Sequence, residues 1–314
     1  MSYRKLLITL ACSSSLGLLS AFASAAKAAD FTLDFDRNAN GDLIDVTQDL
    51  GISVGDWKDI ESTEIDVQWF SDFGVTISAF EKPSYDENTG HYDSSGLTEA
   101  PYGAVLFNTD PNYYQTGTSG RKSNGDFENR FDTDLLTGTN QITGEEYLTV
   151  GGDAKELGNV LIIQERKNLK KTDDEADGGV LAFDFNELVE LTHIDLLDVD
   201  DFGSRGKQIV FTAYDELGDR LNTWQFDQAT LDDGTAQQIS DDPGDNSLYR
   251  FNFEQGGVKR LEVLYPGSGA IAELRWQESQ PPASIPEPAS AVGLLAIASL
   301  GLRLKKNGNN TVNP

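Results

Sequence analysis

KQIVFTAYDELGDRLNTWQF, Lys207 to Phe226, reads as two strands joined by a turn at Glu216 to Asp219. The same pattern continues on both sides. Downstream, SLYRFNF (Ser247 to Phe253) is a further strand, and VKRLEVLYPGSGAIAELRW (Val258 to Trp276) carries two apolar arms around Pro266-Gly267-Ser268-Gly269, which predicts a hairpin. Upstream lie NVLIIQE (Asn159 to Glu165), GVLAFDFNE (Gly179 to Glu187) and LTHIDLLDVD (Leu191 to Asp200). Phe31 to Phe35 and Val75 to Phe80 alternate apolar with polar residues, as half-buried strands do. Eight or more short strands separated by Gly, Asp and Asn turns predict an all-β chain: a two-sheet, jelly-roll-like β-sandwich with long loops.

Helical signals in this body are weak. The best candidate, Asp56 to Phe70, has no clear apolar stripe. From Lys82 to Gly158 the chain is rich in Gly, Asn, Thr, Ser and Tyr, which predicts extended loops with few strands, one of them near Ala104 to Phe107. Long loops on a rigid sandwich commonly carry function. SQPPASI, Ser279 to Ile285, is a polar, Pro-rich linker. The division expected is therefore a terminal segment 1–29, an acidic sandwich 30–278, a linker 279–285, a hydrophobic segment 286–306 and a polar tail 307–314.

The two ends are unlike the body. Arg4 and Lys5 precede an apolar run from Leu6 to Phe22, followed by small-x-small sites at Ala23-Ser24-Ala25 and Ala26-Lys27-Ala28. That is the pattern of a secretory signal peptide, with the mature chain starting near Asp30. Cys12, the only cysteine, leaves with it, so neither disulfide nor thiolate is expected afterwards. At the other end Pro286, Glu287 and Pro288 precede an uncharged run from Ala289 to Leu302 and then basic Arg303, Lys305 and Lys306. At about 1.5 Å per residue this helix falls short of a roughly 30 Å hydrocarbon core, a marginal span whose basic end stays cytoplasmic.

Taken together, these ends resemble those of PEP-CTERM proteins, the exosortase substrates of Gram-negative bacteria. The resemblance implies passage through the general secretion machinery and transient anchoring in the inner membrane by the C-terminal transmembrane helix. Processing by an exosortase and transfer to the cell surface or extracellular matrix would follow. A second resemblance rests on FTLDFDRNANG, LGNVLIIQE, TDDEADGG and VLAFDFNELVELTHIDLLDVDD, which look like an uncharacterised domain of cyanobacterial PEP-CTERM proteins. It implies a sandwich and a location, and no activity.

Between Asp30 and Gln280 lie 51 of the 52 acidic residues and 18 of the 24 basic ones, a net charge of −33. Nucleic acid is excluded as a partner for such a surface. Anionic membranes and acidic polysaccharides are repelled as well, unless divalent cations bridge the two. Calcium is the ion that hard oxygen ligands would take. One candidate set is Asp34, Asp36 and Asn38, where D-x-N-x-N-G matches half an EF-hand loop. Thr47 stands at the twelfth place, so an Asn-Gly turn is the plainer reading. The other set is Asp173, Asp174 and Asp177 with Asp198, Asp200 and Asp201, where strand spacing puts Asp198 and Asp200 on one face. The alternative is that the acidity serves solubility alone.

For polysaccharide, the candidate stacking rings include Tyr92, Tyr113 and Tyr114 in the loop region and Trp69, with Tyr113 and Tyr114 the best placed. Trp224 and Trp276 lie in strands and read as core. There is no H-E-x-x-H, nucleophile elbow, P-loop or G-x-G-x-x-G, and only His91 and His193 could supply imidazole. The expected function is a non-catalytic structural or polysaccharide-binding component outside the cell. The alternative is a secreted glycan hydrolase or lyase, which needs only two well-placed carboxylates.

Overall fold

Two long strands organise the molecule. The computed structural model describes residues 28–43, 65–86, 89–112, 133–165, 175–199, 208–242 and 246–279. Within these, the strands are β1 (Asp30–Leu33), β2 (Val75–Glu81), β3 (Ala104–Asn108), β4 (Thr149–Val150), β5 (Asp153–Ala154), β6 (Asn159–Ile163), β7 (Gly179–Leu197), β8 (Ile209–Tyr214), β9 (Arg220–Phe226), β10 (Ala236–Gln238), β11 (Leu248–Tyr265) and β12 (Ala270–Glu278). β7 and β11 run antiparallel along their full lengths, from Tyr265↔Gly179 to Leu248↔Leu197. Their register breaks between Asn252 and Arg260. There Asn186, Glu187 and Leu188 are exposed in the middle of β7. Bulges of this kind bend a ladder, and here the bend carries both strands from one sheet into the other.

The first sheet has the order β2, first half of β7, second half of β11, β8, β9. The second has β10, first half of β11, second half of β7, β12, then β1 and β6 on the far edge of β12, and β3 beyond β6. Between them lies one contiguous core. Ile77, Leu181, Phe183, Phe211 and Val263 of the first sheet meet Leu33, Ile194, Leu196, Phe251 and Trp276 of the second. The expected two-sheet β-sandwich is the observed architecture.

Three local expectations change. GVLAFDFNE and LTHIDLLDVD form one strand, as do SLYRFNF and VKRLEVLY. The arms around Pro266 to Gly269 do not pair: β11 ends beside Gly179 in the first sheet and β12 begins beside Leu197 in the second, so the turn is an arch across the sandwich. The Lys82 to Gly158 region supplies more than rim loops. Tyr85, Tyr92 and Leu97 cover Val180, Val210 and Leu264 on the outer face of the first sheet. Leu135, Leu136 and Leu148 cover Val105, Phe107, Val160 and Ile162 on that of the second. Covered on both faces, β6 and β8 are buried throughout and show no alternation.

Among the described residues no helix is long and apolar enough to cross a membrane. Residues 1–27 of the expected signal peptide, the expected linker from 280 onward and the expected hydrophobic segment and tail lie outside the described residues.

Candidate functional site

Three polar or aromatic assemblies stand out, and their electrostatics separate them. The first lies on the outer face of the second sheet. Register places Asp195 of β7 between Arg250 of β11 and Glu273 of β12, and His193 between Asn252 and Arg275. Arg250 donates Nε and Nη2 to the two oxygens of Asp195, both at 2.7 Å, in a fork-to-fork pair. His193 Nε2 lies 2.8 Å from Glu273 Oε1, and Arg275 donates to Asp30 through both Nε and Nη2. The His193 hydrogen bond holds the Glu273 carboxyl below its usual range, helped by the charges of Arg250 and Arg275. His193, Asp195 and Glu273 offer ligand atoms within 4.8 Å of one another, the one such trio found among the described residues. Arg250, however, already occupies the cation's place, with Nη2 4.0 Å from Glu273 Oε1. The cluster is charge-paired within itself.

The second assembly sits on the outer face of the first sheet. Glu262 is only 1% exposed. Its Oε2 accepts from Tyr92 Oη at 2.8 Å and Tyr214 Oη at 3.0 Å, and its Oε1 from Arg260 Nε at 2.8 Å. Arg260 Nη1 donates to Asp184 at 2.6 Å, and the guanidinium stacks over Phe80. Burial next to Glu262 pushes both hydroxyls up, Tyr214 to about 12 and Tyr92 further. Every charge here has its partner.

The third is a cleft of about 210 Å³ at the bend of β7. Alternation along β1 aims Phe31 at the register partner Trp276, on which it stacks at 5.7 Å and 20°. Phe73 and Phe185 pack on the same indole at 6.1 and 5.2 Å. The one-turn helix Phe70–Phe73 buries Phe73 and leaves Phe70 48% exposed. Gly74 ends that turn at φ 64°, its N–H donating to Phe70 O at 3.0 Å; a Cβ there would collide with the Asn186 side chain. The cleft thus has an aromatic floor. Its polar rim is Ser71, Asp72, Asn186, Glu187 and Glu278, with no Lys, Arg or His in the lining.

The residues singled out by sequence fall elsewhere. Asn38 forms the plain turn: its Oδ1 accepts from Asn40 N and Asp42 N. Asp34 pairs with Arg37 at 3.3 Å. Asp36 accepts from the N–H and Nδ2 of Asn159, and burial pushes its carboxyl up to about 6 despite those bonds. Gly158, at φ 74°, makes room for that carboxylate. Asp177 is exposed and lines a separate cavity with Glu175. β7 ends at Leu197, and Asp198 turns left-handed at φ 55° with its N–H donating to Ser247 O. The strand spacing that was to align Asp198 with Asp200 therefore does not extend to Asp198. Tyr92 is not a displayed platform, since its ring covers Val180 and its hydroxyl serves Glu262. Trp69 is fully buried, edge-on to Phe35 and Phe73, and Trp276 is core as expected. Tyr113, Tyr114, Asp173, Asp174, Asp200, Asp201 and the sorting residues Pro286, Glu287, Pro288, Arg303, Lys305 and Lys306 lie outside the described residues. Sequence reasoning missed Phe31 and Phe70 as a pair, because 39 residues separate them and only the fold joins them.

The fold and cleft define an antiparallel β-sandwich module with an aromatic end cleft. No family model matches the chain, and no curated protein does. Solved structures with some likeness include a mutant lectin-binding domain of Lectinolysin complexed with Lewis b, at 11% identity and a TM-score of 0.23. Two fucose-binding modules of Streptococcus pneumoniae follow, at 14% and 11% identity with TM-scores of 0.20 and 0.21. Each spans 33% of this chain, and the aligned part covers 67%, 67% and 68% of those chains respectively.

Proposed function

We propose that this is an exported protein that binds polysaccharide at the cell surface or in the extracellular matrix without cleaving it, through the cleft floored by Phe31 and Phe70. The observation that carries the reading is an aromatic floor open to solvent within a hydrogen-bonding rim, the composition of small-molecule sites that grip flat apolar faces and orient polar edges. At about 210 Å³ the cleft lies below the roughly 300 Å³ at which drug-sized pockets begin, so it suits one sugar unit of a chain that continues into solvent. The buried Asp195 and Glu262 are no argument for hydrolysis, because an arginine holds each of them.

Export rests on the two ends: a signal-peptide pattern, and a Pro-Glu-Pro, apolar and basic tail that an exosortase would process. The position of the ends supports it. Glu278 N donates to Ala29 O at 3.0 Å, so the chain enters β1 and leaves β12 side by side. The test is an immobilised-glycan screen of wild type against Phe70→Ala, with reducing ends assayed in the supernatant. Binding by wild type and its loss in the folded variant are expected. Retention of full binding by Phe70→Ala, or release of reducing ends, overturns the reading.

A further inference from the structure

We infer that the sugar taken by this cleft carries ammonium groups: an amino-sugar glycan with free amines, neither a uronic-acid polymer nor a neutral one. The inference deepens the proposed function and rests on it for the location of the site. Its own evidence is the charge of the lining. Asp72, Glu187 and Glu278 surround Phe31 and Phe70, all three exposed; the cation next to them, Lys259, donates its Nζ to the backbone carbonyl of Asn186 at 2.6 Å and pairs with none of the three. In three other places on the sandwich a carboxylate is matched by one of the chain's own cations, Asp195 by Arg250, Glu262 by Arg260 and Asp30 by Arg275. Among the described residues no ion pair reaches the three at the cleft, so their charge complements a cationic ligand. Electron-rich ring faces attract an ammonium as well. The charge of −33 over residues 30–280 steers cations toward the molecule and holds polyanions off. An amine-bearing glycan thus meets an acidic surface without a bridging metal.

Calorimetry of the purified protein with three tetrasaccharides tests this: β-linked glucosamine, its fully N-acetylated counterpart and a uronic-acid tetramer. The glucosamine form is expected to bind at least ~10-fold more tightly than the acetylated form, and the uronic form not to bind. Because any strongly acidic protein draws polycations, two variants locate the effect. Phe70→Ala should weaken binding of both hexosamine forms about tenfold with charge unchanged. Asp72→Asn with Glu187→Gln and Glu278→Gln should erase the preference for glucosamine, so that the two hexosamine forms bind alike. A preference that survives the triple variant, or equal affinity of wild type for both hexosamine forms, overturns the ammonium inference while the glycan-binding reading stands. Absence of binding to all three sugars and to the wider glycan screen overturns the reading beneath it.

Discussion

Asp195 and Phe70 mark two regions built on opposite principles. Around Asp195 four polar side chains from three adjacent strands take one another as partners, so the surface offers a ligand little beyond the exposed edges of Arg250 and Glu273. Around Phe70 the chain leaves a large ring in water and three carboxylates without ion pairs among the described residues. The first arrangement resembles a site because it gathers His, Asp and Glu within ligand distance, yet its own arginine closes it. The second has no such trio and remains open. Density of titratable groups is therefore a poorer guide to function here than the balance of what each group still lacks.

If paired clusters are structural, breaking the most buried one should have the largest effect. Glu262→Ala removes the acceptor of two tyrosine hydroxyls and of Arg260 and should cost about 3–5 kcal/mol in denaturant unfolding, the range for breaking a buried ion pair. Asp195→Ala should cost less, about 1–3 kcal/mol, because Arg250 is 29% exposed and water can reach the abandoned guanidinium. Asp195→Leu with Arg250→Met should recover much of that loss. Both Asp195 variants should bind glycan as wild type does. A folded Asp195 variant with no glycan binding would move the site to the second sheet and reverse the comparison.

The contrast also shows what can be read from sequence. β8 and β9 were legible because two local signals, apolar arms and a short Gly-containing turn, are enough for a hairpin whose strands then pair, Ile209↔Phe226 through Tyr214↔Arg220. The Pro266 to Gly269 turn carries the same signals and gives an arch. A turn reports that the chain reverses; which neighbour each arm finds is decided by β7, which lies between β11 and β12. Likewise Asn186 to Leu188 look like a loop between two strands and are a bend within one. The cleft escapes for the same reason. Phe31 alternates as a half-buried strand residue should, Phe70 ends a segment without periodicity, and Asn186 occupies the bend; only packing assembles them. What sequence did expose, strand content and the acidic balance, depends on local composition.

Asp36 stands between the two regimes, a carboxylate with donors beside it but too buried to ionise easily. Its folded value of about 6 exceeds the ordinary 3.8, so between those values the folded chain holds a proton that the unfolded chain releases. Its contribution to stability is then complete below 3.8 and lost as pH rises through 6. The urea midpoint should fall across that window, and Asp36→Asn should flatten the fall. An unchanged pH profile in Asp36→Asn would mean that the Asn159 bonds outweigh burial.

The smallest change in stability should accompany the clearest change in function. Phe70 is 48% exposed, and its replacement by Ala opens no cavity in the core that Phe73 and Trp276 fill. Unfolding should shift by no more than about 0.5 kcal/mol, as for surface substitutions elsewhere. Loss of the ring's contact with a sugar face should weaken binding about tenfold, the equivalent of about 1.4 kcal/mol and within the range of single aromatic contacts. Equilibrium unfolding and calorimetry on the same preparation read the two quantities together. A stability loss larger than the binding loss would make Phe70 a packing residue whose exposure is incidental. A binding loss at unchanged stability would mean that the chain keeps a ring in water at the bend of β7 because a ligand covers it.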